Sequence, residues 1–462
     1  MRSATTAVVL PLLLLASTAR AQEDDDGGSG IAPSLPPIED EPSDPALDEI
    51  YDRLDEIEER LNGPDPSTYA IRGIEVDLNG YVDFGFFVPI GNDGVGWVQD
   101  FGNAAFPEYQ GQYGWVFLGD ILATTVNSRG EAADLGDAPG ANRFDSINSR
   151  GAPGFAVNEF NLRLQAELGA DVVLRTSVNF VPRTGNEFAL GDFVEVDLAE
   201  MEWILTEDGG TSIFVGKSLP TFGIEYKIRK SDQRRGVTPS LVHRYTSGSQ
   251  LGLKIRSKLL DDWVVLAASV TNNSMTTEQF HFYDEIDSNI GKTLNGRAAV
   301  RIPIDRFISA ATGHTLEIGA SGTFGAQDRA LDSEDNMWFV GVDFEYRATS
   351  FGVRGQWIRG GAPGNPEDGV WMLDLNDSGY VELDWLVLPF LGIHVRGGMR
   401  DAFVALGTER AYLTKNYRVT AGAQFVFTPQ ITLKTEYLYN GEFGGVASFT
   451  NDIFTSSLLL KF

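Results

Sequence analysis

The chain has 462 residues, with 65 acidic against 36 basic side chains for a formal net charge of -29, and no cysteine. That balance excludes the basic footprint nucleic-acid binding requires, and the missing thiols exclude a disulfide framework and a lipid acceptor near the N-terminus. The length argues against one compact soluble core, whereas a ring of strands can absorb it as a single domain.

Met1 to Ala21 carries an early Arg2, an apolar run from Ala7 to Ala16 and the small-x-small triplet Ala19-Arg20-Ala21. This is the pattern of a secretory signal peptide, and the apolar run is too short for a transmembrane helix. Gln22 to Asp44 is rich in Asp, Gly and Pro and predicts an acidic disordered linker. Its Asp24-Asp25-Asp26 lacks the loop spacing of a calcium motif, so it reads as a solvated charge run. From Gln22 to Pro66 sixteen acids face only Arg53 and Arg60, so nearly half the net charge sits in a tenth of the chain.

Between Pro45 and Asn62 the residues Leu47, Ile50, Leu54, Ile57 and Leu61 recur at alternating spacings of three and four, and Gly63-Pro64 stops them. The spacing predicts a short coiled-coil helix, with an arrangement of Leu and Ile that favours trimers or tetramers. An amphipathic helix resting on its own barrel has the same pattern. Residues 63–71 then read as a linker into a barrel over 72–462.

From Arg72 the period becomes two. Ile74, Val76, Leu78, Gly80, Val82, Phe84, Phe86 and Val88 alternate with a more polar set, a run too long for an ordinary sandwich strand. The pattern recurs in Glu159 to Leu168, Val172 to Phe180, Phe193 to Thr206, Thr211 to Ser218, Gln250 to Leu260, Trp263 to Thr271, Leu294 to Ile304 and Thr315 to Gly325. It continues through Met337 to Arg347, Phe351 to Arg359, Gly379 to Leu388, Ile393 to Arg400, Tyr417 to Thr428, Ile431 to Asn440 and Ile453 to Phe462. These make sixteen strands. Connections alternate between tight turns, such as Asp261-Asp262 and Pro429-Gln430, and long polar loops. An even count with short turns on one side and long loops on the other predicts an all-β fold: a transmembrane antiparallel β-barrel of about sixteen strands, preceded by the short coiled-coil helix. A ring of that size encloses an aqueous channel.

Within Asp192 to Leu205 the apolar phase shifts between Leu198 and Ala199, which predicts a bulge. Trp203, Trp263, Trp357, Trp385, Tyr437 and Tyr439 lie near strand ends, where a barrel carries its aromatic girdles. The first long loop, Ile90 to Phe155, contains Gly114-Trp115-Val116-Phe117-Leu118, too apolar to float in water. The third, Leu219 to Ser249, carries Lys227, Arg229, Lys230, Arg234, Arg235 and Arg244 against only Glu225 and Asp232, and the next strand adds Lys254, Arg256 and Lys258. These nine are the candidate pore and constriction residues, because like charge in a narrow channel concentrates the opposite ion. Arg229, Lys230, Arg234 and Arg235 equally suit lipopolysaccharide phosphates or the acidic loops of a neighbouring subunit.

The last strand, ending on Phe462, resembles the terminal strand of Gram-negative outer-membrane barrels. The long third loop, Pro239-Ser240-Leu241, Arg244-Tyr245, Gly252-Leu253-Lys254 and the closing Glu436-Tyr437-Leu438-Tyr439-Asn440 resemble the trimeric porins related to the phosphate-selective porins. That resemblance implies a third loop folded into the lumen, basic residues along an anion's path, and a homotrimer in outer-membrane lipid and lipopolysaccharide with its leader in the periplasm. The expected activity is passive diffusion of small hydrophilic solutes or ions, leaning to anions, with no cofactor. The alternative is a structural barrel that anchors the envelope through its coiled coil.

Enzyme readings are weak. His243, His281, His314 and His394 lack metal-ligand spacing, and no Gly-x-Ser-x-Gly elbow or phosphate-binding glycine loop occurs.

Overall fold

The computed structural model describes residues 68–71, 74–91, 98–101, 145–148, 153–180, 194–272, 275, 290–308, 311, 313–326, 336–362, 372–406, 410–443 and 451–462. The first strands are β1 (Thr68–Ile71), β2 (Ile74–Gly91), β3 (Val98–Phe101), β4 (Asp145–Asn148), β5 (Gly154–Leu168), β6 (Val172–Phe180), β7 (Val194–Ile204), β8 (Thr211–Ser218), β9 (Gln250–Leu259) and β10 (Val264–Thr271). They are followed by β11 (Thr293–Pro303), β12 (Thr315–Ala326), β13 (Asn336–Arg347), β14 (Phe351–Ala362), β15 (Met372–Leu388), β16 (Leu391–Leu406), β17 (Arg410–Thr428), β18 (Ile431–Glu442) and β19 (Asn451–Lys461). β2 and β5 to β19 form one closed antiparallel ring of sixteen strands, each paired with its neighbours in sequence. β3 and β4 pair separately, antiparallel, within the first long loop.

Closure is the step that a sheet in hydrocarbon cannot omit, since each unpaired backbone group costs several kcal/mol there. β19 pairs with β2 from Asn451 opposite Gly91 to Lys461 opposite Tyr81. The final residue completes the seam. Gly80 N–H donates to the Phe462 carbonyl at 3.0 Å, and Phe462 N–H donates back at 3.1 Å. Where β19 ends, β1 takes over the exposed edge of β2, pairing Thr68 with Asp77 and Ile71 with Ile74.

Side chains alternate across the wall as a period of two requires. Leu253, Ile255, Ile318, Val340, Val342, Val381, Val395 and Leu458 are exposed on the outer face, while Asp83, Asn161, Glu202, Arg297, Asp343, Glu382 and Arg396 are buried inside. Trp203 and Trp385 stand outward near the short turns, and Tyr437 and Tyr439 outward near the long loops, giving an aromatic belt at each end. The predicted bulge lies in β7 as a register shift: Ser177 faces Leu198 but Val178 faces Val196, so Asp197 is the extra residue. A second bulge in β5 leaves out Asn158 between the pairs Asp83–Glu159 and Phe84–Val157.

One part of the expected fold class is corrected. Among the described residues the longest α-helix is the four-residue turn His243–Thr246, so the described fold is the barrel without a preceding coiled-coil helix. Residues 45–62, on which that helix was expected, lie outside the described residues, as do the expected signal peptide, the acidic linker and Gly114 to Leu118. The alternative of an envelope anchor depended on the coiled coil. Within 63–71, expected as a linker, 68–71 form β1.

Closure makes a sharp prediction at Gly80, where an added Cβ would lie 2.8 Å from the Phe462 ring and against the Asn161 carbonyl. Gly80→Val should leave the ring open, and the protein should lose the heat-dependent shift in electrophoretic mobility that marks a closed barrel. A variant that keeps the shift would mean the seam tolerates the clash.

Candidate functional site

The third loop, 219–249, leaves the long-loop end and folds into the lumen. Hydrophobic burial and charge pairing both hold it there. Phe222, Ile224, Ile228, Val237, Leu241, Val242 and Tyr245 are buried, as are the lumen-facing Met337, Phe339, Ile358, Leu375 and Tyr380. The upper half of β13 is therefore apolar on both faces, with Trp338, Val340 and Val342 exposed outward. A wet channel wall needs only one apolar face, and the second one covers the loop.

The loop's polar attachments reach around the ring. Gly223 N–H donates to Ser321 Oγ at 3.0 Å and Ile224 N–H to Gln356 Oε1 at 2.9 Å. Thr238 N–H donates to Glu436 Oε2 at 2.9 Å, while Arg396 donates to the Thr238 carbonyl at 2.9 Å and to its hydroxyl at 2.8 Å. Lys434 Nζ, fully buried on β18, donates to the carbonyls of Ser231, Arg234 and Gly236. Ser231 donates to Asp83.

Seven of the nine sequence candidates make an ion pair. Lys227 lies 3.0 Å from both Glu317 and Glu345. Arg229 pairs with Asp197, the bulge residue of β7, and Lys230 reaches Asp197 at 3.1 Å and Glu159 at 2.9 Å. Arg235 bonds Asp384 at 2.7 Å. Lys254 reaches Glu200 at 3.8 Å and the Leu219 carbonyl at 3.1 Å, and Arg256 reaches Glu202 at 2.9 Å, both over the Phe214 ring. Lys258 faces Asp262 at 3.8 Å in the adjoining turn, away from the loop. Arg234 instead donates to the carbonyls of Val237 at 3.0 Å and Arg229 at 2.7 Å, holding the loop's own backbone. Arg244 has its backbone in the turn His243–Thr246, and its side chain lies outside the described residues.

The sequence reading missed the arginines on the wall side of these contacts. Arg163 grips the loop's Asp232 with two bonds at 2.6 and 2.7 Å. Arg297 bonds Glu317 and Asp343, Arg301 bonds Glu317, and Arg354 bonds Glu382, which Arg396 shares. Their signal was present as charges on the lumen phase of β11 and β14, yet partners more than a strand apart are invisible to periodicity. Below the loop, two cavities of about 400 and about 180 Å³ meet at Gln233. Among the described residues no group of three His, Asp or Glu could hold a metal ion.

No protein-family model matches the chain, and no curated protein matches it. Solved structures do. The outer membrane channel DcaP of Acinetobacter baumannii matches with a TM-score of 0.50 at 12% identity, over 86% of this chain and 100% of that one. The fold is that of the Gram-negative outer-membrane porins. An anion-selective porin from Comamonas acidovorans matches at 0.48 and 9% identity over 84% and 99%, and Salmonella typhi OmpF at 0.48 and 11% over 86% and 100%. At these identities the likeness is one of fold, and none of them singles out the phosphate-selective group.

The loop's titratable groups set its pH range. Burial pushes the His243 pKa below the ordinary imidazole value despite Glu225 Oε2 at 2.9 Å from its Nδ1. Burial opposes the charge of Asp232, but the Arg163 hydrogen bonds hold its carboxyl below the usual range. Burial likewise opposes the Lys227 charge, and Glu345 and Glu317 raise its pKa nonetheless. A depressed imidazole gains its proton more readily once the loop is released. Its contribution is therefore present above about pH 6.5 and declines below it. The Lys227 contribution is present below about pH 10.4 and is lost as pH rises through its raised value, while that of Asp232 fails only below about pH 3.9.

Two predictions follow from these contacts. Lowering pH from neutral to the mid-fives should add current noise from loop motion, and His243→Gln should remove that step; an identical pH response in both proteins would discount His243. Asp197→Asn should leave Arg229 and Lys230 short of compensation in a buried site, at about 3–5 kcal/mol for a broken buried pair. Trypsin should then cut between Lys227 and Arg235 in the variant alone, and equal resistance would deny Asp197 its anchoring role.

Proposed function

We propose that the chain is a non-enzymatic outer-membrane channel through which small hydrophilic solutes and ions diffuse, with a lean toward anions. One observation carries the lean. In three lumen ion pairs the carboxylate is buried and a guanidinium stands above it in the water. Arg347 is 60% exposed and its partner Glu345 9%, Arg301 38% over Glu317 at 7%, and Arg256 37% over Glu202 at 7%. The geometry follows from length, since a short acid stays near the wall and a guanidinium reaches past it. Pairing cancels most of the far field. What a passing ion meets at contact distance is guanidinium, in a confined space where the field is weakly screened.

The third loop supplies size exclusion, since its attachments reach around the ring and leave the solute the space beside Gln233. The barrel's outer apolar face and aromatic belts suit outer-membrane lipid and lipopolysaccharide. Assembly as a homotrimer, with export directed by Met1 to Ala21, completes the proposal; chemical cross-linking of detergent-extracted protein would test the first and the mature N-terminus the second.

Selectivity is measured as the reversal potential in a planar bilayer under a KCl gradient. Wild type should pass chloride in preference to potassium, and the triple variant Arg256→Gln, Arg301→Gln, Arg347→Gln should lose at least half of that preference. A cation-preferring wild type would refute the anion lean, and the absence of conductance from folded protein would refute the channel.

A further inference from the structure

The larger cavity below the third loop is built in a way that selects a ligand class. It lies toward the short-turn end, between Arg234 and Arg235 of the loop, the turn joining β13 to β14, and Gln424 of β17. Three arginines on its lining are each held from behind. Arg347 donates Nε and Nη2 to Glu345 Oε1 at 3.0 and 2.7 Å. Arg354 does the same to Glu382 Oε1 at 3.1 and 2.7 Å. Arg235 donates Nε to Asp384 Oδ1 at 2.7 Å. The Nη1 groups of Arg347 and Arg354 and both Nη groups of Arg235 have no partner among the described residues.

The local charge is positive despite the pairing. Glu345 is shared by Lys227 and Arg347, Glu382 by Arg354 and Arg396, and Asp384 by Arg235 and Arg354. Three carboxylates thus serve five cations. Glu317, the other partner of Lys227, is itself shared with Arg297 and Arg301. An anion entering the cavity completes a shortage that the wall leaves.

The arrangement also says what kind of anion. Each arginine has its hydrogen-bonded carboxylate on a different residue, Glu345 of β13 or Glu382 and Asp384 of β15, so the three free edges are presented from separate anchors. Arginine binds carboxylate in a planar, directional way. We propose that this cavity is a subsite for small di- and tricarboxylates, whose separate carboxylates meet Arg235, Arg347 and Arg354 individually. Its volume of about 400 Å³ accommodates a short carbon frame, and Gln233 and Gln424 offer neutral hydrogen bonds to a hydroxyl. The inference rests on the anion-leaning channel and narrows its cargo.

Calorimetric titration of the folded full-length protein in detergent tests it, with citrate as the probe and inorganic phosphate and glucose as comparisons. Citrate should bind saturably, phosphate should bind clearly more weakly, and glucose should give no heat. Arg347→Gln should weaken citrate by about tenfold, the loss expected for one charged hydrogen bond. Heat-dependent mobility confirms that the variant is folded, and Arg235→Gln on the loop serves the same purpose if it is not. Absence of citrate binding, an affinity unchanged in either folded variant, or phosphate binding as tight as citrate would each overturn the proposal. KCl conductance of the wild type is read separately: conduction without citrate binding refutes the subsite alone, and folded protein without conduction refutes the channel.

Discussion

A carboxylate removed from water must find a cation, and that requirement fixes the interior of this barrel. Asp197, Glu202, Glu317, Asp343, Glu345, Glu382 and Glu436 are all buried on the lumen wall. Leaving any of them unpaired would cost several kcal/mol after relaxation. The wall's own arginines satisfy part of the demand, and the third loop brings Lys227, Arg229, Lys230 and Arg235 to the rest. The loop in turn has an apolar side that water would reject. Burial against Phe339, Ile358 and Tyr380 solves that problem, while the ion pairs determine which way round the loop lies. Packing gives the driving force and charge gives the register.

The bulge at Asp197 joins the backbone to this charge pattern. An extra residue in β7 disturbs the ladder and turns a side chain that the regular pleat would have aimed elsewhere. That side chain is the one Arg229 and Lys230 share. Asn158, the extra residue of β5, donates to Asp83 at 3.2 Å, and Asp83 also receives Ser231 of the loop. Both bulges therefore sit beneath loop contacts. At these two places an irregularity of the sheet supplies a side chain to which the loop is held, directly at Asp197 and through Asp83 at Asn158.

The barrel was legible in the sequence because its signal is local. A period of two survives in each strand by itself, and the tight turns after Leu168, Leu259 and Leu388 mark the return of the chain without reference to distant residues. The phase slip near Leu198 announced the bulge for the same reason. The position of the third loop was legible too, and its basic character, but the state of its charges was not. Arg235 and Asp384 are 149 residues apart, and Lys227 and Glu345 are 118. Arg234 lines the cavity below the loop and also holds the loop's own carbonyls, a contact that its charge alone did not announce. A clue that could have been used is β13, apolar on both faces from Met337 to Val342, which no open channel wall requires.

Net charge is a poor guide to such an interior. The chain carries -29 overall, yet sixteen of its acids lie between Gln22 and Pro66, outside the described barrel. In the pairs of Arg256, Arg301 and Arg347 the acid is withdrawn to the wall and the guanidinium is the more exposed partner. The potential at a point in a confined, weakly screened space depends on which charge is nearest as well as on the total. An acidic protein can in this way present a basic path, because side-chain length decides which partner of each pair stands in the water.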